Sequence, residues 1–396
     1  MNARGVHVSS AHVALTEIFL YALCIGLQLQ RMPLAAVALA ACVFSWLVFT
    51  WLMRQGIDPK GLRDLLIPIL FVGLGMQNRS VNFAEKVLKI IVGIVVVMGL
   101  FESVFFDVYG LIFNTLSFYG NIGGVRESAA MYGGQTLTLN GFRPEGIGRT
   151  LLPSLLGAHR TSSAMMEPVS LGNLGVILLA WGLSKPWRSI QKAPVVILSA
   201  ALLIVLADSR FGMVMACVFF LARLAPVQVI KRCAPTFPLM ILACVLAITL
   251  RASAMGDDLL GRVGQSGAAL LEFSPRMLLG LQGPLPGFGD MGFAYVISRF
   301  GIPLCLLLLL AIFMVPMRSE RAQRFRAFVV LYIFSNLAVS GTSVFALKTA
   351  GLMWFLFGVL SMAHPQEQEA VQLEREPDQD FHRLHTRWVG SSGSSL

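Results

Sequence analysis

Several runs of roughly 18 to 22 residues in this chain carry no charge, and each is long enough to cross a hydrocarbon core of about 30 Å. Inside a bilayer no water meets the backbone N–H and C=O groups, so such runs must be helices. A β-barrel is excluded, because its strands would be about ten residues long and would alternate in polarity. Composition agrees: 56% of residues are apolar and 13% charged, against about 25% charged in an ordinary soluble domain.

Apolar periodicity and length place helices near residues 12–29, 33–53, 64–77, 86–106, 167–184, 193–208, 211–224, 236–253, 291–316, 326–340 and 343–362. The expected fold is therefore an all-α polytopic membrane protein with 11 or 12 transmembrane helices. The first run holds Glu17, lacks an Ala-x-Ala site and leads straight into Arg31-Met32-Pro33, so it reads as a retained helix and not a signal peptide. Residues 1–364 form the transmembrane domain. Residues 365–396 are polar and acidic and read as a disordered cytoplasmic tail. Six acids and three arginines give that tail −3, so the net +10 of the chain becomes +13 in the membrane body.

Two long segments interrupt the helices. Residues 107–166 are Gly-rich, and residues 254–290 are rich in Gly and Pro and end Gly287-Phe288-Gly289-Asp290. Both contain aromatic and apolar side chains, which favours ordered, functional loops. Tyr109 to Phe118 reads as a short interfacial helix.

Orientation follows from the excess of Lys and Arg in cytoplasmic loops. Lys185, Arg188 and Lys192 mark one basic loop, Arg223, Lys231 and Arg232 a second, and Arg318, Arg321, Arg324 and Arg326 a third. All three fall on one side, expected to be cytoplasmic, which places both long loops outside. At the N-terminus Arg54, Lys60 and Arg63 oppose Arg79, Lys86 and Lys89. Eleven spans put the N-terminus outside; an extra span, the reading favoured here, puts it in the cytoplasm.

Several functions find no support in the residues. The six cysteines lie in or beside apolar runs and form no CxxC pair, and the six histidines have no metal-ligand spacing, so neither a disulfide framework nor a metal site is expected. No cofactor is expected. Nucleic-acid binding needs basic residues gathered on a polar domain, which is lacking; attraction to lipid headgroups accounts for part of the positive charge. No internal repeat of the kind found in many transporters is evident.

The candidate chemistry lies in arginines on the loop side. Arg126, Arg143, Arg149, Arg160, Arg210, Arg262 and Arg276 all map there. The planar guanidinium fork suits phosphate. Arg126, Arg262 and Arg276 read as ordinary solvated loop residues. Arg160, in the run RTSSAMMEPVSLGN, and Arg210, after Asp208-Ser209, sit at the ends of apolar helices, where charge is costly without a partner or a task. Glu167 precedes Pro168 and reads as a helix cap, as a carboxylate paired with Arg160 or Arg210, or as a general base. Asp208 reads as an ion partner of Arg210 or Arg251. Asp290 reads as a cap or a base.

An Arg followed by small polar residues and Glu-Pro at a helix start, here Arg160 to Pro168, resembles the motif of the bacterial O-antigen ligase/polymerase superfamily. Ser209-Arg210 at the outer end of a later helix, and Gly287 to Gly289 closing a long loop before a helix, match in order. The likeness covers residues 140–362 and is nearest to Wzy-type exopolysaccharide polymerases, including the xanthan-type polymerase. It implies a bacterial inner membrane, with both long loops in the periplasm. It also implies a GT-C-like glycosyltransferase architecture and a metal-independent inverting transfer. In that transfer a glycan leaves its undecaprenyl-diphosphate carrier and joins the next lipid-linked repeat unit. The implied partners are the lipid-linked oligosaccharide, the growing polysaccharide and membrane lipids, with a chain-length regulator or export complex as a further candidate. Arg160, Arg210, Arg143 and Arg149 would bind the diphosphate, and Glu167, Asp290 and Glu145 are the candidate bases. The ligase branch carries a His in the second outer loop; here no His lies between His159 and His364. A ligase with another acceptor and a transporter of lipid-linked glycan are the alternatives.

Overall fold

The structure is a computed structural model that describes residues 8–28, 34–78, 80–121, 141, 149–187, 194–251, 258–283, 285, 287–288, 291–339 and 341–363. Among these residues it is all-helical, and five helices are long and apolar enough to cross a membrane. Three shorter apolar helices accompany them. The protein is a multi-pass helical membrane protein. Arg126, Arg143, Glu145, Gly289, Asp290 and the tail from His364 lie outside the described residues.

Each expected apolar segment is helical: α1 (Ser10–Gln28), α2 (Leu34–Arg54), α3 (Pro59–Gln77) and α4 (Val81–Val104) come first. Two short helices, α5 (Phe106–Ile112) and α6 (Thr115–Asn121), cover the expected interfacial stretch, and α7 (Pro153–Leu156) follows. The second half holds α8 (Pro168–Ser184), α9 (Pro194–Leu206), α10 (Arg210–Leu224), α11 (Val227–Cys233) and α12 (Phe237–Arg251). After α13 (Leu259–Leu271) and α14 (Pro275–Leu278) come α15 (Phe293–Met314), α16 (Glu320–Ala338) and α17 (Leu347–Met362). Residues 254–290 are thus not simply a loop. Asp258 accepts a hydrogen bond from the Gly261 amide and starts α13, satisfying a donor that a helix start otherwise leaves open.

Glycine sets the tightest crossings. A Cβ on Gly75 would stand 2.1 Å from the Phe355 carbonyl, and one on Gly358 2.2 Å from that of Val72. Helices α3 and α17 therefore touch backbone to backbone, as small residues permit in membranes. On α8, Gly172, Gly175 and Gly182 make room for the side chains of Ser209, Ile204 and Ile197.

Ion pairs show which helix ends share a face. Lys185 and Arg321 both reach Glu85, at 2.8 and 3.1 Å, so the start of α4, the end of α8 and the start of α16 lie together. Arg324 donates to the carbonyls of Arg223 and Ala225, and Arg326 to those of Phe313 and Val315. These bonds satisfy the open carbonyls at the ends of α10 and α15. This is the basic face expected from the sequence.

At the opposite face Arg54 donates to the carbonyls of Gly280, Ser298 and Arg299. The α2–α3 turn therefore lies beside the second long segment. Glu17 sits 3.9 Å from Arg63, while Gln28 reaches the Leu70 carbonyl about two turns further along α3. So α1 runs parallel to α3 and starts on the same face as the long segments. With the basic face taken as cytoplasmic, this course fits eleven spans and does not fit the favoured extra span with its cytoplasmic N-terminus. The charge count misled because Arg54, Lys60 and Arg63 are drawn into tertiary contacts.

Candidate functional site

The segment from Arg160 to Glu167 is held from below by one buried carboxylate. Glu102, wholly buried near the end of α4, accepts from the amides of Ser162 and Ser163 and pairs with His159 Nε2 at 2.8 Å. Thr161 shares a hydrogen bond with Ser103, and its amide donates to the Leu206 carbonyl. Ser163 Oγ donates to the Val95 carbonyl. Tyr109 OH donates to the Ser163 carbonyl; burial, with the Glu102 charge adding, pushes this phenol up from its ordinary pKa.

Asp208 anchors a second turn. It is buried, with φ of 48°, and its carboxylate accepts from the amides of Thr150 and Leu151. The carboxylate thus serves as a backbone anchor. Left-handed φ also occurs at Leu152, Ser163 and Met166. Non-glycine residues are held so only when their surroundings fix them, and such positions gather at functional sites. Four of the five in the described chain border this one region.

The predicted cations fall into two groups. Arg149 is 5% exposed, and its guanidinium donates to the carbonyls of Leu151, His159, Val205 and Leu206. Directed inward, it shapes the site and is not presented to a ligand. Arg160 and Arg210 are half-buried. Arg160 Nε donates to the Ala207 carbonyl at 3.1 Å, and Arg210 Nε lies 3.4 Å from Thr150 Oγ1. Ala207 and Arg210 are three peptide units apart, at most about 11 Å between Cα atoms, so both arginines converge on the Asp208 turn. Ser209 caps α10 by accepting from the Gly212 amide. Arg262 and Arg276 are exposed, as expected.

Glu167 starts α8, but its side chain makes no capping bond. It accepts from Ser170 Oγ and faces Lys348 Nζ at 3.4 Å. Lys348, in the first turn of α17, also donates to the Met165 carbonyl and to Tyr119 OH. Glu102, His159 and Lys348 were not singled out in the sequence. A lone acid near the end of the 86–106 run and a lone cation near the start of 343–362 were the available signals. Below, Asn173 joins Val169, Ser343, Tyr332 and Asn336 in a buried polar network that fixes α8 against α16.

The arrangement is thus three cations, Arg160, Arg210 and Lys348, at the ends of apolar helices on one face. Among the described residues no group of three His, Cys, Asp or Glu side chains is placed to hold a metal ion. Compared with protein-family models, curated proteins and solved structures, the chain matches none.

Proposed function

We propose that this protein is a membrane glycosyltransferase, a polysaccharide polymerase that joins lipid-diphosphate-linked oligosaccharides at the face bearing Arg160 and Arg210. In a bacterial inner membrane that face would be periplasmic, because the opposite face carries the basic loops. The observation that supports the reading is the convergence of Arg160 and Arg210 on the Asp208 turn, with Lys348 beside Glu167. A departing lipid diphosphate carries about two negative charges, and preorganised cations stabilise such a leaving group in its transition state. No reorganisation is needed, since Glu102, Asp208 and Arg149 already fix the backbone that presents them. An acceptor hydroxyl attacks the anomeric carbon, the bond to the diphosphate oxygen breaks, and the hydroxyl proton passes to a base. Glu167, Asp290 and Glu145 remain candidates for that base. The reaction fits the resemblance of Arg160–Pro168 and Ser209-Arg210 to the ligase/polymerase superfamily.

Purified protein supplied with lipid-linked repeat units, without nucleotide, tests the proposal. Longer glycans are expected. Transfer only to an unlike acceptor would mark a ligase, and movement of lipid-linked glycan without new bonds would mark a transporter and end the proposal.

A further inference from the structure

The chemistry above leaves a second charged cluster unused. Asp58 and Arg299 form an ion pair, and Arg63 donates to Asp64 at 2.9 Å. Tyr295 OH donates to the same Asp64 carboxylate. Arg299 and Lys60 lie over the Tyr295 ring, at 4.6 and 5.0 Å. The Arg299 side chain is 10% exposed, and its Nε finds no acceptor among the described residues. Lys60 is exposed and Arg63 is 39% exposed. The cluster occupies the same face as Arg160 and Arg210. Tyr295 also packs against Phe345, 6.3 Å between centroids, and Lys348 follows three residues beyond Phe345.

Four cations, Arg54, Lys60, Arg63 and Arg299, meet the acids Glu17, Asp58 and Asp64 here. Basic residues in so short a turn are disfavoured on the face away from the basic loops. Charges near a bilayer core mark function by default. Next to this cluster, though lined by none of its charged residues, lies an apolar cavity of about 1720 Å³. Leu65 and Phe300, the residues that follow Asp64 and Arg299, line it, as do Ile69, Val296 and Phe345. It continues down to Ser80 and Pro316 at the other face. A cationic cluster one residue removed, on two helices, from an apolar cavity that spans the depth of the bundle matches an anionic head on a long hydrocarbon tail.

We propose that Lys60, Arg63 and Arg299, with the cavity next to them, form a second lipid-diphosphate subsite that seats the acceptor. The inference rests on the polymerase reading: joining two lipid-linked units requires two lipid diphosphates on one face, whereas transfer to another acceptor requires one. The Arg160–Arg210 site holds the donor, whose diphosphate leaves. The second site only holds its diphosphate, which stays on the product, so its cations can be partly neutralised by acids.

Undecaprenyl diphosphate binding to the full chain in phosphatidylcholine nanodiscs, counted by native mass spectrometry, tests this. Two molecules are expected on the wild type. The Lys60→Gln/Arg63→Gln/Asp64→Asn variant, which keeps the buried pair neutral, should weaken one by at least about tenfold. Arg160→Ala/Arg210→Ala should weaken the other. Ile69→Trp, which narrows the cavity without touching a charge, should weaken the first site alone. A single bound molecule, lost only in the Arg160/Arg210 variant, overturns the second subsite and leaves the donor reading standing. Wild-type binding in the Arg160/Arg210 variant, with loss in the triple variant, overturns the donor site and leaves this one standing. Equal displacement by phosphatidylglycerol makes the cluster an ordinary anionic-lipid contact and overturns the proposal, as does unchanged binding in Ile69→Trp.

Discussion

Lys348 Nζ stands 3.4 Å from Glu167 Oε2 and 3.0 Å from the Met165 carbonyl. The start of α17 is thereby fastened to the turn that opens α8. Both partners are about a quarter to a third exposed, so the pair is worth little to stability. Its value is placement, since it holds a cation beside the Arg160 segment.

Lys348→Ala should therefore leave the fold intact and reduce polymer formation. Loss of one transition-state contact costs on the order of 3 kcal/mol, about a hundredfold in rate. Lys348→Arg should recover part of it. Initial rates with lipid-linked repeat units, beside thermal unfolding in detergent, separate the two effects; equal activity of wild type and Lys348→Ala would remove Lys348 from the site.

Arg160→Ala and Arg210→Ala should each lower the rate by a similar factor, about a hundredfold, with membrane levels unchanged. Lysine should substitute poorly, since it lacks the bidentate fork. Alanine at the exposed Arg262 or Arg276 should lower the rate less than about twofold, because solvated charges contribute little. Near-normal polymer from both Arg160→Ala and Arg210→Ala would sink the leaving-group model.

Glu102→Ala should damage both fold and activity. It strands the buried amides of Ser162 and Ser163, at about 1–3 kcal/mol for each unsatisfied donor. Glu102→Gln retains an acceptor and should fall between wild type and Ala. Melting temperature of the three proteins gives the order, and an unshifted Glu102→Ala would refute the anchoring role.

Gly172→Ala offers a finer probe. The added Cβ would stand 2.5 Å from Ser209, so the Ser209–Arg210 turn must move. Overpacking of this kind costs about 1–3 kcal/mol, and here activity should fall further than stability predicts. Gly358→Ala, more crowded, against backbone 2.2 Å away, and set away from the arginines, is the control. Equal activity at matched stability in the two variants would contradict the coupling.

Topology can be read by labelling single cysteines in a background lacking the six native ones. Cysteine at Ser9, Lys60 or Gln265 should react with an impermeant reagent from one side, and at Arg232 from the other. Ser9 labelling together with Arg232 would reverse the assignment of α1.

Helix positions were legible in the sequence because charge-free length is nearly a complete instruction in a bilayer. Arg160 and Arg210 were legible because charge at an apolar helix end stands out. The surroundings of Arg149 were not legible: one neighbouring carbonyl, Leu151, and three more from His159 and Val205–Leu206 surround its guanidinium, and no local pattern announces such a pocket. Glu102 and Lys348 stood alone in apolar runs, and only the packing of α4 and α17 gives them partners. The cysteines are free, as their positions implied.

Arg324 and Arg326 carry a consequence for how the bundle is made. They close the carbonyl ends of α10 and α15 from a helix that is synthesised after both. Until Glu320–Ala338 has entered the membrane, those two ends keep open acceptors, and the earlier helices have no reason to settle. Assembly is then sealed from its last third. A nascent chain halted before Glu320 should be cleared by membrane proteases, whereas one halted after Ala338 should persist, a contrast that pulse-chase of stalled chains would reveal.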